Sequence, residues 1–189
     1  MERYTKDIIS KLGNTMIYIA ERVNPLNKTK LLKLLYLIEE ESVRKYRTPF
    51  FCIDFKVWKL GPVVQDVFID LSNDKTDMFA DYIDTKKINE ETSIVPVGGF
   101  SDDEFSDNDL DVLDDIINRF GSHTAKKLVS LTHRRDSLWS KAKSDNNLTF
   151  TASNSSDVSI DFSSILKGED KSFYTEVMEN KRIFSNLKN

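Results

Sequence analysis

The chain has few of the residues that staple, metallate or break a fold: in 189 residues there are one cysteine, two histidines, four prolines and six glycines. A lone cysteine, Cys52, excludes an intrachain disulfide and argues against a cysteine-built zinc site. His123 and His133 stand too far apart to pair on one helix face as zinc hydrolases require. No Gly-rich phosphate loop occurs, because Gly98-Gly99 is an isolated turn with neither a following lysine nor a helix. Ser122 beside His123 has no nucleophile elbow around it. No apolar run approaches the ~20 residues of a membrane span, and Met1 to Asp7 lack a signal-peptide core. A soluble cytoplasmic protein is expected. An excess of basic charge is also missing, since 27 Lys and Arg face 31 Asp and Glu for a net charge of -4. That balance argues against direct nucleic-acid binding, which draws on clustered cations. No cofactor, metal or catalytic residue is expected.

What remains is ordinary globular material: 39% hydrophobic, 11% aromatic and 31% charged. The length suits one domain with an appendage. Ile8, Leu12, Met16, Ile19 and Val23 recur at three- and four-residue steps, the stripe of an amphipathic helix that ends at Asn24-Pro25. The next helix, capped by Asn27 or Thr29, carries Leu31, Leu32, Leu34, Leu35, Leu37 and Ile38, too wide an apolar surface for a half-exposed helix. It should lie at the centre of the core and stop near Tyr46. Phe50, Phe51, Ile53, Phe55 and Val57 permit a short extended segment. Asp74, Lys75, Asp84, Lys86 and Asn89 read as surface, and Ser93 to Val97 as one short edge strand. A further helix carries Leu110, Leu113, Ile116, Ile117 and Phe120, and shorter ones hold Leu128 and Trp139. After Lys143 the chain turns polar, the composition of a mobile stretch, before a last helix from about Asp170 with Phe173, Val177, Met178 and Phe184. There is no internal repeat and no heptad run.

Several clusters invite functional readings. The carboxylates from Asp102 to Asp115 lack the Gly and Glu of a calcium loop. Ser106 with Asp109 instead matches a capping box, so a solvated helix start is the preferred reading and an acidic docking surface the alternative. His133 lies at a helix end, where an imidazole can bond free carbonyls. Lys28, Lys30 and Lys33 with Arg44, Lys45 and Arg47 read as helix solubilisers beside Glu39 to Glu41. For Trp58 and Trp139 the plain reading is core packing; the sharper one is the border of a partner-binding groove. Within Phe55-Lys56-Val57-Trp58-Lys59-Leu60-Gly61-Pro62-Val63, Gly61 can take angles closed to other residues and Pro62 suits a first helical position. A helix is therefore expected to begin at Pro62 and run through Val67, Phe68 and Leu71.

Three pieces in order, Lys30 to Tyr36, Phe55 to Val63 and Leu128 to Ala142, resemble the Panacea antitoxin domain, the SocA-like or phage-associated GepA-like family. Lys30-Leu31-Leu32-Lys33-Leu34-Leu35-Tyr36 is similar to its first helix motif. The run from Phe55 through Trp58 to Gly61-Pro62-Val63 resembles its hallmark. Leu128 to His133 followed by Leu138-Trp139-Ser140-Lys141-Ala142 is similar to its closing motif. Leu60, Val57 and Ser137-Leu138 depart from residues usual there while keeping apolar character. The resemblance spans residues 27–143 of a helical domain placed at 1–143, with 144–189 as a C-terminal extension, a polar linker and then a helix. It implies a mainly α, single compact domain with a short β element. It further implies an antitoxin of a bacterial or phage toxin–antitoxin system that neutralises a cognate protein toxin by direct binding, or an adaptor that delivers the bound toxin to a bacterial protease. Trp58, Gly61, Pro62, Val63, His133 and Trp139 are the motif and candidate partner-binding residues. The acidic balance suits a basic toxin. No second compact unit is evident that would carry a DNA-binding helix-turn-helix. An enzyme built from His133, Asp136 and the Asp102 to Asp115 acids is the alternative of a different class.

Overall fold

The computed structural model of the protein describes residues 4–73, 77–88 and 91–187; Asp74, Lys75 and Asn89, read as surface, and the side chain of Phe184 lie outside them. Helix α1 (Lys6–Arg22) begins where Thr5 Oγ1 accepts from the Ile8 N–H, and it buries Leu12, Met16 and Ile19, the predicted stripe. Helix α2 (Lys28–Tyr46) is capped by Asn27, whose side chain accepts from the Lys30 N–H at 2.9 Å, and ends at Arg47 in the left-handed region. Residues 30–36 of α2 are buried without a break. That follows from apolar residues on every face, and it makes α2 the axis of the core, touched by helices and a strand that follow it in the chain.

The aromatic run reaches α2 as a loop that buries Phe50, Phe51, Ile53 and Phe55 and becomes strand only at β1 (Lys56–Trp58). Here the structure corrects the helix expected from Pro62: Gly61–Val63 is strand β2, antiparallel to β1 with Trp58 opposite Gly61 and Val57 opposite Pro62. The physical reason is that Gly61 takes φ 106°, turning the chain back after Lys59-Leu60. Pro62 removes no ladder bond, because Val57 opposite donates its N–H outward to Val158 O at 2.9 Å. Helix α3 (Gln65–Asp70) starts only after this hairpin.

Residues 83–96 contain a second hairpin in place of the single predicted strand: β3 (Ile83–Ile88) pairs antiparallel with β4 (Glu91–Pro96). Asp84 and Lys86 are exposed on β3, as read, but alternate with the buried Ile83, a period masked by the surrounding polar residues. The Ile94 N–H donates to Leu26 O at 2.7 Å, which ties β4 to the turn between α1 and α2. Helix α4 (Asp107–Phe120) opens with the predicted capping box between Ser106 and Asp109. It buries Val112, Leu113 and Ile116 towards α2. Helices α5 (Ala125–Thr132) and α6 (Leu138–Asp145) are joined by a tight corner in which Ser137 caps α6.

The polar stretch after Lys143 is held along the outer edge of β1. Ser156 Oγ donates to Val57 O at 2.6 Å, and the Ile160 N–H donates to Phe55 O at 2.8 Å. A 3-10 turn at Phe162–Ile165 then buries Phe162 against Tyr36 and Phe55, before α7 (Gly168–Leu187). The architecture is mainly α, with seven α-helices and two small hairpins among the described residues.

Candidate functional site

The β1–β2 hairpin sits between α2 and the α5–α6 corner, and each neighbour sends a polar side chain to a hairpin carbonyl. From α2, Lys33 Nζ donates to Pro62 O at 2.8 Å. From α6, Trp139 Nε1 donates to Trp58 O at 2.9 Å. At the end of α5, His133 places Nε2 3.1 Å from Lys59 O and Nδ1 2.7 Å from Val129 O. A neutral imidazole donates to one of these carbonyls at a time and an imidazolium to both. The three separate sequence motifs are thus joined by hydrogen bonds to a single turn.

Gly61 is fixed here by space as well as by angle. A Cβ at this position would lie 2.8 Å from Lys33 Cε and 2.8 Å from Thr132 Oγ1. Only glycine lets α2 and α5 close on the hairpin from two sides. The ring of Trp139 is buried, with its centroid 3.9 Å from that of His133. Ser137 Oγ donates to Thr132 O and Ser140 Oγ to His133 O, at 2.7 and 3.2 Å, which fixes the corner carrying both rings.

The helix solubiliser reading of Lys30 and Lys33 is corrected: both are buried, and Lys33 is only 1% exposed. Burial lowers the Lys33 ammonium from its ordinary 10.5 to about 7. The signal was present, since Leu31, Leu32, Leu34 and Leu35 around Lys33 leave no outward face for it. Glu39, read with its neighbours as a polar turn, is 2% exposed and raised by burial to about 7. Beside this junction burial and the neighbouring Glu40 also push the Tyr36 phenol well above its usual value.

Trp58 is half-buried, packed edge-on against Phe68 at 4.9 Å between ring centroids. It borders a pocket of about 330 Å³ lined by Leu32, Lys33, Lys59, Leu60, Val63 and Phe68, among others. Core anchor and groove border therefore describe two sides of the same indole. Gly61, Pro62 and Val63 are buried behind it, and Val63 also reaches the pocket wall. Of the pocket's lining only Trp58 and Val63 were candidates from the sequence; Leu32, Leu60 and Phe68 complete its apolar wall, and the apolar Leu60 before Gly61 was the available sign.

The structure does not gather the residues of the enzyme reading. Both His133 ring nitrogens face main-chain carbonyls, and Asp136 is exposed, 3.8 Å from Arg134. The acids of α4 are dispersed among separate partners: Asp109 to Ser106 and Lys11, Asp111 to Lys45 and Tyr46, Asp114 to Tyr18, and Asp115 to Arg119. A lysine lowered towards neutrality is the form that amine nucleophiles take, but the Lys33 amine is committed to Pro62 O beneath the hairpin. The arrangement supplies shape, apolar surface and hydrogen-bond donors.

A family model described as Antitoxin SocA-like, Panacea domain, matches residues 31–140. The match takes in all three motifs but for Lys30, Lys141 and Ala142 and covers more than half of the chain, and the chain belongs to that family. No curated protein and no solved structure matches the chain.

Proposed function

We propose that this Panacea-domain protein is the antitoxin of a bacterial or phage toxin–antitoxin system, acting in the cytoplasm and neutralising a cognate protein toxin by direct binding. The observation that carries the reading is the convergence of the three family motifs on one hairpin, whose outer side is an apolar pocket rather than a set of reacting groups. Membership of an antitoxin family supports the same class. The mechanism is complementarity: Trp58, Leu60 and Phe68 offer desolvated contact, while Lys33, His133 and Trp139 hold the hairpin in the shape that presents them. On this reading residues 1–143 form the neutralising domain, and residues 144–189 are an extension that braces β1.

The test is co-expression with the protein encoded by the adjacent reading frame in a host whose growth that protein arrests. Restored growth together with a co-purifying complex is the expected result; arrest that persists despite soluble antitoxin removes the proposal. The toxin's half-life in the same cells separates masking from delivery to a protease, because only an adaptor shortens it.

A further inference from the structure

The pocket beside the hairpin has chemistry of one sign. Leu32, Trp58, Leu60, Val63 and Phe68 supply its apolar wall, and its ionisable lining residues are Lys33 and Lys59. A third cation, Lys28, stands at its edge with Nζ 4.2 Å above the Phe68 ring. The Trp58 Nε1–H is buried and has no acceptor. Four hairpin carbonyls already face side chains: Val57 O that of Ser156, Trp58 O that of Trp139, Lys59 O the His133 Nε2 and Pro62 O that of Lys33. Leu60 stands at the rim with 63% of its surface exposed.

We propose that this pocket seats an acidic segment of a protein partner, which inserts one large aliphatic or aromatic side chain and brings flanking carboxylates to Lys59 and Lys28. Charge complementarity selects this occupant. A basic segment would meet Lys59 and Lys28, neither of which has a carboxylate partner among the described residues, whereas an acidic one supplies that partner. The local field thus opposes the net charge of -4, which on its own suits a basic toxin. The assignment rests on the reading of the protein as a binder of a protein toxin, and it specifies which part of that toxin docks.

The test uses the full-length protein and a displayed library of random dodecapeptides. Enriched peptides are then titrated by fluorescence anisotropy against the wild type, Lys59→Glu and Leu60→Ser. Both substituted side chains are exposed, so unchanged circular dichroism and melting temperature confirm that the variants are folded. The expected consensus pairs Leu, Phe or Trp with Asp or Glu, and each variant weakens binding by about tenfold or more. No consensus, a basic or uncharged consensus, or affinity unchanged in both variants overturns the proposal. The co-expression assay separates the two readings: growth rescue by the wild type and by both variants alike discards the pocket and keeps the antitoxin. Acidic peptides that bind as expected, with no rescue by the wild type, do the reverse.

Discussion

Helix α2 buries Lys30, Lys33 and Glu39, and the Glu39 and Lys33 sites differ in how the charge is met. On the C-terminal side, Glu39 accepts from the Phe51 N–H at 2.9 Å, with Lys181 and Lys11 near enough to favour its charge. On the N-terminal side, Lys33 donates to Pro62 O, and burial alone accounts for its lowered pKa. Each side chain has the sign its neighbour needs, an acceptor for a loop amide and a donor for a hairpin carbonyl. Only the Glu39 site has charges of opposite sign to offset it. The Lys33 site lies beside an apolar pocket whose other ionisable lining residue is a second lysine. The difference marks the Glu39 site as a structural joint, while Lys33 lies in the wall of the pocket proposed to seat an acidic segment.

The largest expected effect comes from forcing the hairpin away from α2. Gly61→Ala adds a Cβ 2.8 Å from Lys33 Cε and Thr132 Oγ1 at a residue with φ 106°, and should cost about 3 kcal/mol or more of unfolding free energy in urea titrations. Gly168→Ala is the control: it shares a positive φ, 55°, but has open space around it, so about 1 kcal/mol is expected. Equal losses at the two positions would show that close packing at Gly61 contributes nothing. Next comes the Glu39 end. Glu39→Ala leaves the Phe51 N–H buried without its acceptor and opens a cavity, for a loss of about 3 kcal/mol, whereas Glu39→Gln keeps an acceptor and should cost under about 1.5 kcal/mol. A loss from Gln as large as that from Ala would mean that the ionised carboxylate, not its acceptor oxygen, holds the loop.

What the sequence disclosed follows from how local each signal is. The capping box at Ser106 and Asp109, the stripe of α1 and the width of α2 are read within one or two turns, and they appear as expected. The helix start at Pro62 failed because proline's fixed φ suits both a first helical turn and an extended residue. The choice was made by Gly61 and by Ser156 to Ile160, a segment about a hundred residues away that pairs with the other edge of β1. Strand β3 was hidden because Ile83 is followed by Asp84 to Lys87, polar on both faces, and its hydrogen bonds are made to a separate strand. At the site, the six motif residues were legible as an ordered set. Their meeting was not, because the convergence of Lys33, His133 and Trp139 on one hairpin's carbonyls is a tertiary fact that no spacing encodes.

The two buried charges also predict how stability depends on pH. Glu39 moves from 4.5 in the unfolded chain to about 7 in the fold, so between these values the folded state holds a proton that the unfolded state has released. Its contribution is present below 4.5 and lost as pH rises through 7. Lys33 moves from 10.5 down to about 7, so its contribution is present above 10.5 and lost as pH falls through 7. Both are weakest near neutrality, and stability from these groups should rise on either side by on the order of 2 kcal/mol each. Urea midpoints between pH 5 and 9 check this. Glu39→Gln should flatten the acid limb alone, and Lys33→Met the alkaline limb alone. If one substitution flattens both limbs, the two sites are coupled and the comparison between them fails.

The smallest effect on folding should come from the hairpin tip, and it is the most informative about the open end of α2. Leu60 is largely exposed and its neighbour Lys59 holds His133 through the main chain, which a side-chain substitution leaves in place. Leu60→Ser should therefore shift stability by less than about 0.5 kcal/mol. Removing Lys33 by Lys33→Met should cost only about 1 kcal/mol, since the lost bond to Pro62 O is offset by relief of a buried cation. If the Lys33 end is built to receive a carboxylate, Lys33→Met weakens binding of an acidic peptide while Glu39→Gln leaves it unchanged, although both variants stay folded. Equal peptide affinity in Lys33→Met, Glu39→Gln and the wild type would reduce Lys33 to a second structural joint, alike in kind to Glu39.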